Sequence, residues 1–363
     1  MSEITCRSKV VILRALPEGS DSRVLRWGEV FKNHNKIYLS WGGGANNILN
    51  YRPPSGSIFI ALWYMLFSIM CFIKLMSVVK RKDIVIFVDL ETILFGYFAV
   101  KVKGGQIHFD IADPFGLTKP VPFELFWKSL ERFYISISNI VTVPHVNRAK
   151  YYFDKIPANL HVLENVPCAL DSNINQFNLG RFRFDDGVIT LGYFGTLEEH
   201  RGLEDLIELV KRNNKLRLIV GGRGSLDGFV DAAVSTCNRI AFIGAFRQED
   251  LLRLIKDVDV YCSLYYKSKR LHAMAAPNKY FEHLLFGIPI LISSGVVYAI
   301  DVLANKTGWL VDDGLDNLQC WYNHVEKSSS EIKSFSNNAM QLWRDKYSMW
   351  LDQQVKRFGS DLM

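Results

Sequence analysis

Apolar residues fall along this chain in two alternating rhythms. In the first half, short runs rich in β-branched residues occur at VVIL (10–13), KIYLS (36–40), DIVIFV (83–88), QIHFDI (106–111), NIVTV (139–143) and LHVLE (160–164). In the second half they recur at VITLGYF (188–194), LRLIV (216–220), IAFIG (240–244), VDVYCS (258–263), IPILIS (288–293) and GWLV (308–311). Segments with helical spacing separate them. That alternation predicts parallel sheets joined by crossover helices, an α/β fold. A polar segment, LDSNINQFNLGRFRFDDG (170–187), divides the halves. We therefore expect two tandem doubly wound, Rossmann-like domains, 1–170 and 171–340, facing a cleft. The amphipathic tail MQLWRDKYSMWLDQQVKRF (340–358) predicts a C-terminal helix, over 341–363, that crosses back to pack on the first domain. In sheets of this kind ligands bind beyond the carboxyl ends of the strands.

One stretch breaks the rhythm. SIFIALWYMLFSIMCFIKLMSVVKRK (Ser57–Lys82) is apolar almost throughout and ends in a basic triplet. Length and hydropathy allow a bilayer span, a buried helix or a helix lying in the membrane interface. The strand DIVIFV follows at once and needs sheet neighbours on the same side, which disfavours the span. Trp63, Tyr64, Phe67 and Phe72 beside Lys80, Arg81 and Lys82 suit a face that touches a membrane.

The chain has 363 residues, 49% hydrophobic and 22% charged, enough for two folded cores. Its net charge of +6 suits anionic small ligands or a membrane surface. It is too weak to imply nucleic acid, and no nucleic-acid motif occurs. The 6 cysteines are scattered with no CxxC pair, so neither a zinc site nor a disulfide framework is expected and a reducing cytoplasm fits. The N-terminal apolar run is too short for a signal peptide.

Three motifs carry candidate chemistry. In YFGTLEEHRGLEDLIELV (193–210) a strand ends at Phe194, Gly195 opens a loop, and Arg201 stands just before a helix start. Glycine lets a ligand approach the backbone, and a helix N-terminus with a guanidinium favours a diphosphate. The plainer reading is an ordinary loop with a solvated arginine. In LRLIVGGRGSL (216–226), Gly221, Gly222 and Gly224 surround Arg223, as a turn near a nucleotide or a turn and nothing more. In APNKYFEHLLFGIPILIS (276–293), Pro277 and Asn278 start a helix, and Gly287 with Pro289 stops it. Phe281, Leu284 and Leu285 form the core face. Lys279 and Glu282 share another face, suited to a phosphate and to sugar hydroxyls. The plainer reading is a surface ion pair. His272 and His283 are expected to be structural.

Taken together, GYFGTLEEHRGLEDLIELV, LRLIVGGRG, EDLLRLIKDVDVYCSLY, APNKYFEHLLFGIPILIS and GWLV resemble the donor domain of GT-B glycosyltransferases, most like glycosyltransferase family 4. The first half resembles the acceptor domain more loosely, through LPEGSDSRVLR, VIFVDLET and IHFDIADPFG. The resemblance implies a UDP- or GDP-sugar donor as substrate, with no separate cofactor and no metal. By position, Arg201 and Lys279 would neutralise the donor diphosphate and Gly195 would lie against it. Glu282 would meet the ribose, and Arg223, Phe242 and Gly244 would frame the base. Two departures stand out. Met274 occupies the place of the first glutamate of an E-x7-E pair, and Thr196 stands where relatives often carry arginine. On the acceptor side, Ala112 replaces a common histidine and leaves Asp113 as the polar group, a general base or an orienting acceptor. Asp113 is equally suited to capping a helix, as is Asp21.

The resulting expectation is a metal-independent glycosyltransferase that transfers to a saccharide acceptor in bacterial surface polysaccharide synthesis. The 57–79 stretch suggests that the acceptor is lipid-linked and that the protein is cytoplasmic, peripheral on the inner membrane. A nucleotide-sugar 2-epimerase and a non-catalytic, membrane-recruiting binding subunit are the alternatives. The sequence sets no oligomeric state.

Overall fold

The computed structural model describes residues 8–16, 21–41, 47–49, 57–119, 123–168, 187–246, 250–328 and 330–359. The 170–187 segment, and with it the expected boundary at 170, lies outside these residues except for Gly187. Contacts divide the chain into Met1–Glu164 with Leu351–Met363 as one unit and Asn165–Trp350 as the other.

The first unit contains a 7-stranded parallel sheet. Its strands are β1 (Val10–Leu13), β2 (Lys36–Trp41), β3 (Asn47–Leu49), β4 (Ile84–Val88), β5 (Gln106–Asp110), β6 (Ile140–Val143) and β7 (Leu160–Val162). They run in the order β3-β2-β1-β4-β5-β6-β7. The second unit holds a 6-stranded parallel sheet of β8 (Ile189–Phe194), β9 (Leu216–Gly221), β10 (Ile240–Phe242), β11 (Val260–Ser263), β12 (Ile290–Ser293) and β13 (Gly308–Val311). Its order is β10-β9-β8-β11-β12-β13. Both sheets start at their centre, wind one way for two strands, then reverse. The reversal leaves a crevice between the first and fourth strands, β1/β4 in one unit and β8/β11 in the other, where doubly wound sheets take their ligands. Strands such as β4 and β11 are buried at every residue, because helices cover both faces of a parallel sheet.

The helix Ser57–Val78 packs along Leu90–Lys103 rather than standing apart from the sheet. Tyr64, Phe67, Cys71 and Leu75 recur at helical spacing and are buried, while Phe59, Leu62, Met65, Leu66, Ile69 and Ile73 are exposed. The aromatics expected at a membrane surface are thus partly core: Tyr64 and Phe67 point inward, and the outward stripe is mainly aliphatic. Among the described residues, no helix is long and apolar enough to cross a membrane.

The tail is not one helix. Ser330–Leu342 leads through a π-helical turn, Trp343–Tyr347, into Trp350–Gly359. The wider turn shifts the helical phase. Tyr347 lies 5.3 Å from Phe281, centroid to centroid, and Trp343 packs against the cluster that holds Phe194, Leu285 and Phe286. Further on, Phe358 packs edge-on to Trp27 at 5.5 Å, within the first unit.

Candidate functional site

The site builds from the carboxyl ends of β8 and β11. After β8, Gly195 has φ 141°, a backbone state that side chains with a β-carbon rarely adopt. A β-carbon there would sit 3.4 Å from Lys279 Cε and 3.6 Å from its Nζ. The lysine therefore reaches across the crevice and lies on the glycine's backbone. Gly195 N–H donates to the Gly221 carbonyl at 2.9 Å, which fixes the loop to β9.

Lys279 sits in the first turn of the helix Asn278–Phe286, with Pro277 as the extended residue before it and left-handed Gly287 (φ 63°) after it. The start and stop signals fall where the sequence puts them. The division of its faces does not. Every residue from Lys279 to Phe286 is buried, so Lys279 and Glu282 do not lie on an outward face. The helix is sandwiched between β11 and Ser330–Leu342, which leaves it no solvent side.

Burial makes the lysine chemically unusual. Its Nζ stands 4.2 Å from the centroid of the Tyr193 ring, and the residue is 7% exposed. No described residue gives this ammonium a hydrogen bond or an ion pair. Burial, and then the charge of Arg201, lower its pKa to about 7, against a smaller upward pull from Glu282. Arg201, in the loop after β8, pairs with Glu198 at 3.3 Å and lies 5.1 Å from the Tyr265 ring. Its Nε is buried with no hydrogen-bond partner among the described residues. Two cations share a crevice in which, among the described residues, only Arg201 has an ion-pair partner. Such a site favours an anion with more than one charge.

Glu282 accepts a hydrogen bond of 2.7 Å from the Tyr261 hydroxyl and is 4% exposed. Arg223, Phe242 and Gly244 come together beyond β9 and β10. The Arg223 guanidinium lies 5.7 Å from the Phe242 ring, and a β-carbon on Gly244 (φ 68°) would meet Arg223 Nη2 at 3.1 Å. Arg223 also pairs with Asp227 at 3.2 Å. The neighbouring glycines have a packing reason. A β-carbon on Gly222 would fall 1.7 Å from the Gly195 carbonyl oxygen, and one on Gly224 would fall 2.0 Å from that of Leu197. The two loops meet backbone to backbone.

Met274 ends a short 3-10 turn, Arg270–Met274. His272 Nδ1 contacts the Tyr266 carbonyl at 2.8 Å, and His283 Nδ1 contacts that of Ile288 at 3.0 Å, both structural uses.

In the first unit Asp113 follows β5 and pairs with Arg148 at 2.8 Å. Burial would raise its pKa, but the Arg148 charge and hydrogen bond prevail and hold it below the usual carboxylate range. Asp21 caps the helix Ser22–Val30, accepting from Arg23 N–H at 2.7 Å. The residue that sequence reasoning missed is Asp89, at the end of β4 and thus at this unit's β1/β4 crevice. It has φ 64° and is 4% exposed. Its Oδ1 accepts from the N–H groups of Ala112 (2.8 Å) and Asp113 (3.2 Å), and its Oδ2 pairs with Arg14. It ties the loop after β5 to β1. The signal was VIFVDLET, an acidic residue directly after a buried strand. Asp110, by contrast, is consumed by Arg23, Trp27 and Thr142 in the interior.

Among the described residues, no cluster of His, Cys, Asp and Glu could hold a metal ion. No family model matches the chain, and no curated protein matches it in sequence. Solved structures do share its fold. HepE of Anabaena, in complex with UDP and glucose, has a TM-score of 0.70 at 14% identity, over 98% of this chain and 100% of that one. A glycosyltransferase from Rickettsia africae ESF-5 has a TM-score of 0.63 at 14% identity, over 96% of each chain. The lipopolysaccharide outer core galactosyltransferase WaaB, in its apo form, has a TM-score of 0.62 at 14% identity, over 96% of this chain and 99% of that one. The fold is α/β with two tandem Rossmann-like units, the GT-B fold.

Proposed function

We propose that this protein is a glycosyltransferase that moves a sugar from a UDP- or GDP-sugar to a saccharide hydroxyl. The observation that carries the reading is Lys279: a buried ammonium with no ion pair to a described residue, lying on Gly195 beside Arg201 at the β8/β11 crevice. A nucleotide-sugar diphosphate supplies the missing negative charge. HepE, of the same fold, was solved with UDP and glucose, which supports this choice of ligand.

In the reaction the acceptor oxygen bonds to the anomeric carbon and the bond from that carbon to the diphosphate oxygen breaks. The hydroxyl proton leaves for solvent or a base. Negative charge builds on the departing nucleoside diphosphate, where Arg201 and Lys279 stabilise it more in the transition state than in the ground state. Because two fixed cations supply that charge, we propose that no divalent metal is needed. Glu282 and the Arg223–Phe242–Gly244 group are assigned to the nucleoside side. Asp113, held ionised by Arg148, suits an orienting acceptor for the incoming hydroxyl better than a general base. Family 4 is the assignment we favour within the fold, on the APNKYFEHLLFGIPILIS pattern.

The acceptor we propose is lipid-linked, on a bacterial surface-polysaccharide pathway. The support is the exposed stripe Phe59, Leu62, Leu66, Ile69 and Ile73, with exposed Lys80, Arg81 and Lys82 just beyond its helix. Apolar area plus basic charge is what an anionic lipid surface attracts.

A thermal-shift series with UDP, GDP and their sugars tests the reading, followed by turnover with and without a chelator. A diphosphate nucleotide should raise the melting temperature and a chelator should leave turnover intact. Binding without turnover would point to a non-catalytic subunit, the role to which Met274 and Ala112 lend weight. Absence of any nucleotide effect would reject the assignment.

A further inference from the structure

We propose that Tyr193 is a positioning residue for the donor site, holding Lys279 by its ring face in place of a neutralising carboxylate. This inference rests on the reading of Lys279 as a diphosphate ligand. Tyr193 lies on β8, is 0% exposed, and presents its ring to Lys279 Nζ at 4.2 Å. Its hydroxyl is occupied elsewhere, donating to the Thr196 carbonyl at 3.2 Å. So the same residue pins the Gly195 loop with its oxygen and the lysine with its π-face.

The physical case is one of competition. A carboxylate beside a buried ammonium would form a charge-assisted pair, and a diphosphate would have to displace it. A ring face attracts a cation without occupying its donors. The ammonium is then fixed in place with none of its three N–H groups bonded to a described residue, leaving them for the ligand. Arg201 is arranged in part the same way, over the Tyr265 ring, while its Glu198 contact is made at a half-exposed side chain. The other groups that act on the lysine charge are Arg201, Glu282 and Cys262. Tyr193 supplies what those groups do not, attraction without neutralisation.

The test compares Tyr193→Phe, which keeps the ring, with Tyr193→Leu, which keeps only apolar bulk. The direct readout is the titration of Lys279 in the unliganded full chain, by NMR of Cε-labelled lysine with the resonance assigned from Lys279→Met. The phenylalanine variant should titrate where the native protein does. The leucine variant should titrate lower, by about 0.5–1 pH unit. Where leucine disturbs folding, Tyr193→Met serves in its place. The second readout is UDP affinity near pH 7, expected to fall less in the phenylalanine variant, which loses only the Thr196 hydrogen bond, than in the leucine variant, which also loses the ring face and should weaken binding by about 3- to 30-fold more. Equal titration of the phenylalanine and leucine variants would overturn the proposal. If the native protein binds no nucleoside diphosphate, the functional reading fails, and the lysine titration still decides the role of the ring.

Discussion

Lys279 Nζ lies 3.6 Å from the point where a β-carbon on Gly195 would stand. A helix side chain from beyond β11 and a loop glycine after β8 therefore form one wall of the crevice. The glycine is required twice, by its φ of 141° and by the lysine it must accommodate. Gly195→Ala should cost about 1–3 kcal/mol of stability and push the lysine from its seat. Urea unfolding measures the first effect. A UDP titration measures the second, with at least a tenfold loss of affinity expected (about 1.4 kcal/mol). Native-like UDP affinity in the alanine variant would detach the glycine from the site.

Lys279 should lower the stability of the unliganded protein, as a buried charge with no ion pair to a described residue does. Lys279→Met is predicted to raise the unfolding free energy without ligand by about 1–4 kcal/mol, and to abolish the further stabilisation by UDP. Function and stability then oppose each other at one residue. A methionine variant less stable than the native protein would argue that the ammonium has a structural partner.

The pH dependence follows from the same group. Its folded pKa is about 7 and its ordinary value 10.5. Between those values the unfolded chain binds more protons than the folded one. This lysine's unfavourable contribution is therefore complete below pH 7 and is relieved as pH rises toward 10.5. A bound diphosphate reverses the shift, so binding above pH 7 should take up a proton and weaken with rising pH. Calorimetry at pH 8 in two buffers of different ionisation enthalpy reads that proton directly. Zero uptake would contradict the assignment.

In the first unit, Asp89→Ala removes an acceptor from Arg14 and from two backbone N–H groups. Loss of about 1–3 kcal/mol is expected, because two backbone N–H groups lose their acceptor while Arg14 keeps its ion pair with Asp21. Asp89→Asn should cost less. A neutral result in denaturant unfolding would show that the loop after β5 does not depend on this carboxylate.

Much of this was legible in the sequence, for a physical reason. Strands buried on both faces read as unbroken apolar runs, so all the strands were visible except β3, three residues long at the sheet edge. The order of runs and helices implied that Gly195 and Lys279 both follow strand ends, although it could not show that they touch. Local spacing says which residues share a helix face, but not how many faces a neighbour covers. That is why the burial of Lys279 and Glu282 was missed, as were the inward phase of Tyr64 and Phe67 and the π-turn at Trp343–Tyr347. Asp89 was hidden because its partners come from β1 and from the loop after β5, distant in sequence and brought together by the crevice.

The exposed stripe on Ser57–Val78 gives an independent prediction. Serine at Leu62, Leu66 and Ile69 together should abolish flotation with anionic vesicles, since each exposed apolar side chain gains about 1.5–3 kcal/mol when fully buried. Equal flotation of this variant and the native chain would separate the stripe from any lipid surface.

The most direct measurement is UDP binding by calorimetry to the native chain, Lys279→Ala and Arg201→Ala at pH 7. The native protein should bind, and each alanine should weaken binding by about 10-fold or more, the loss of one charge-assisted contact. Undiminished binding by both variants would place the diphosphate somewhere other than the β8/β11 crevice.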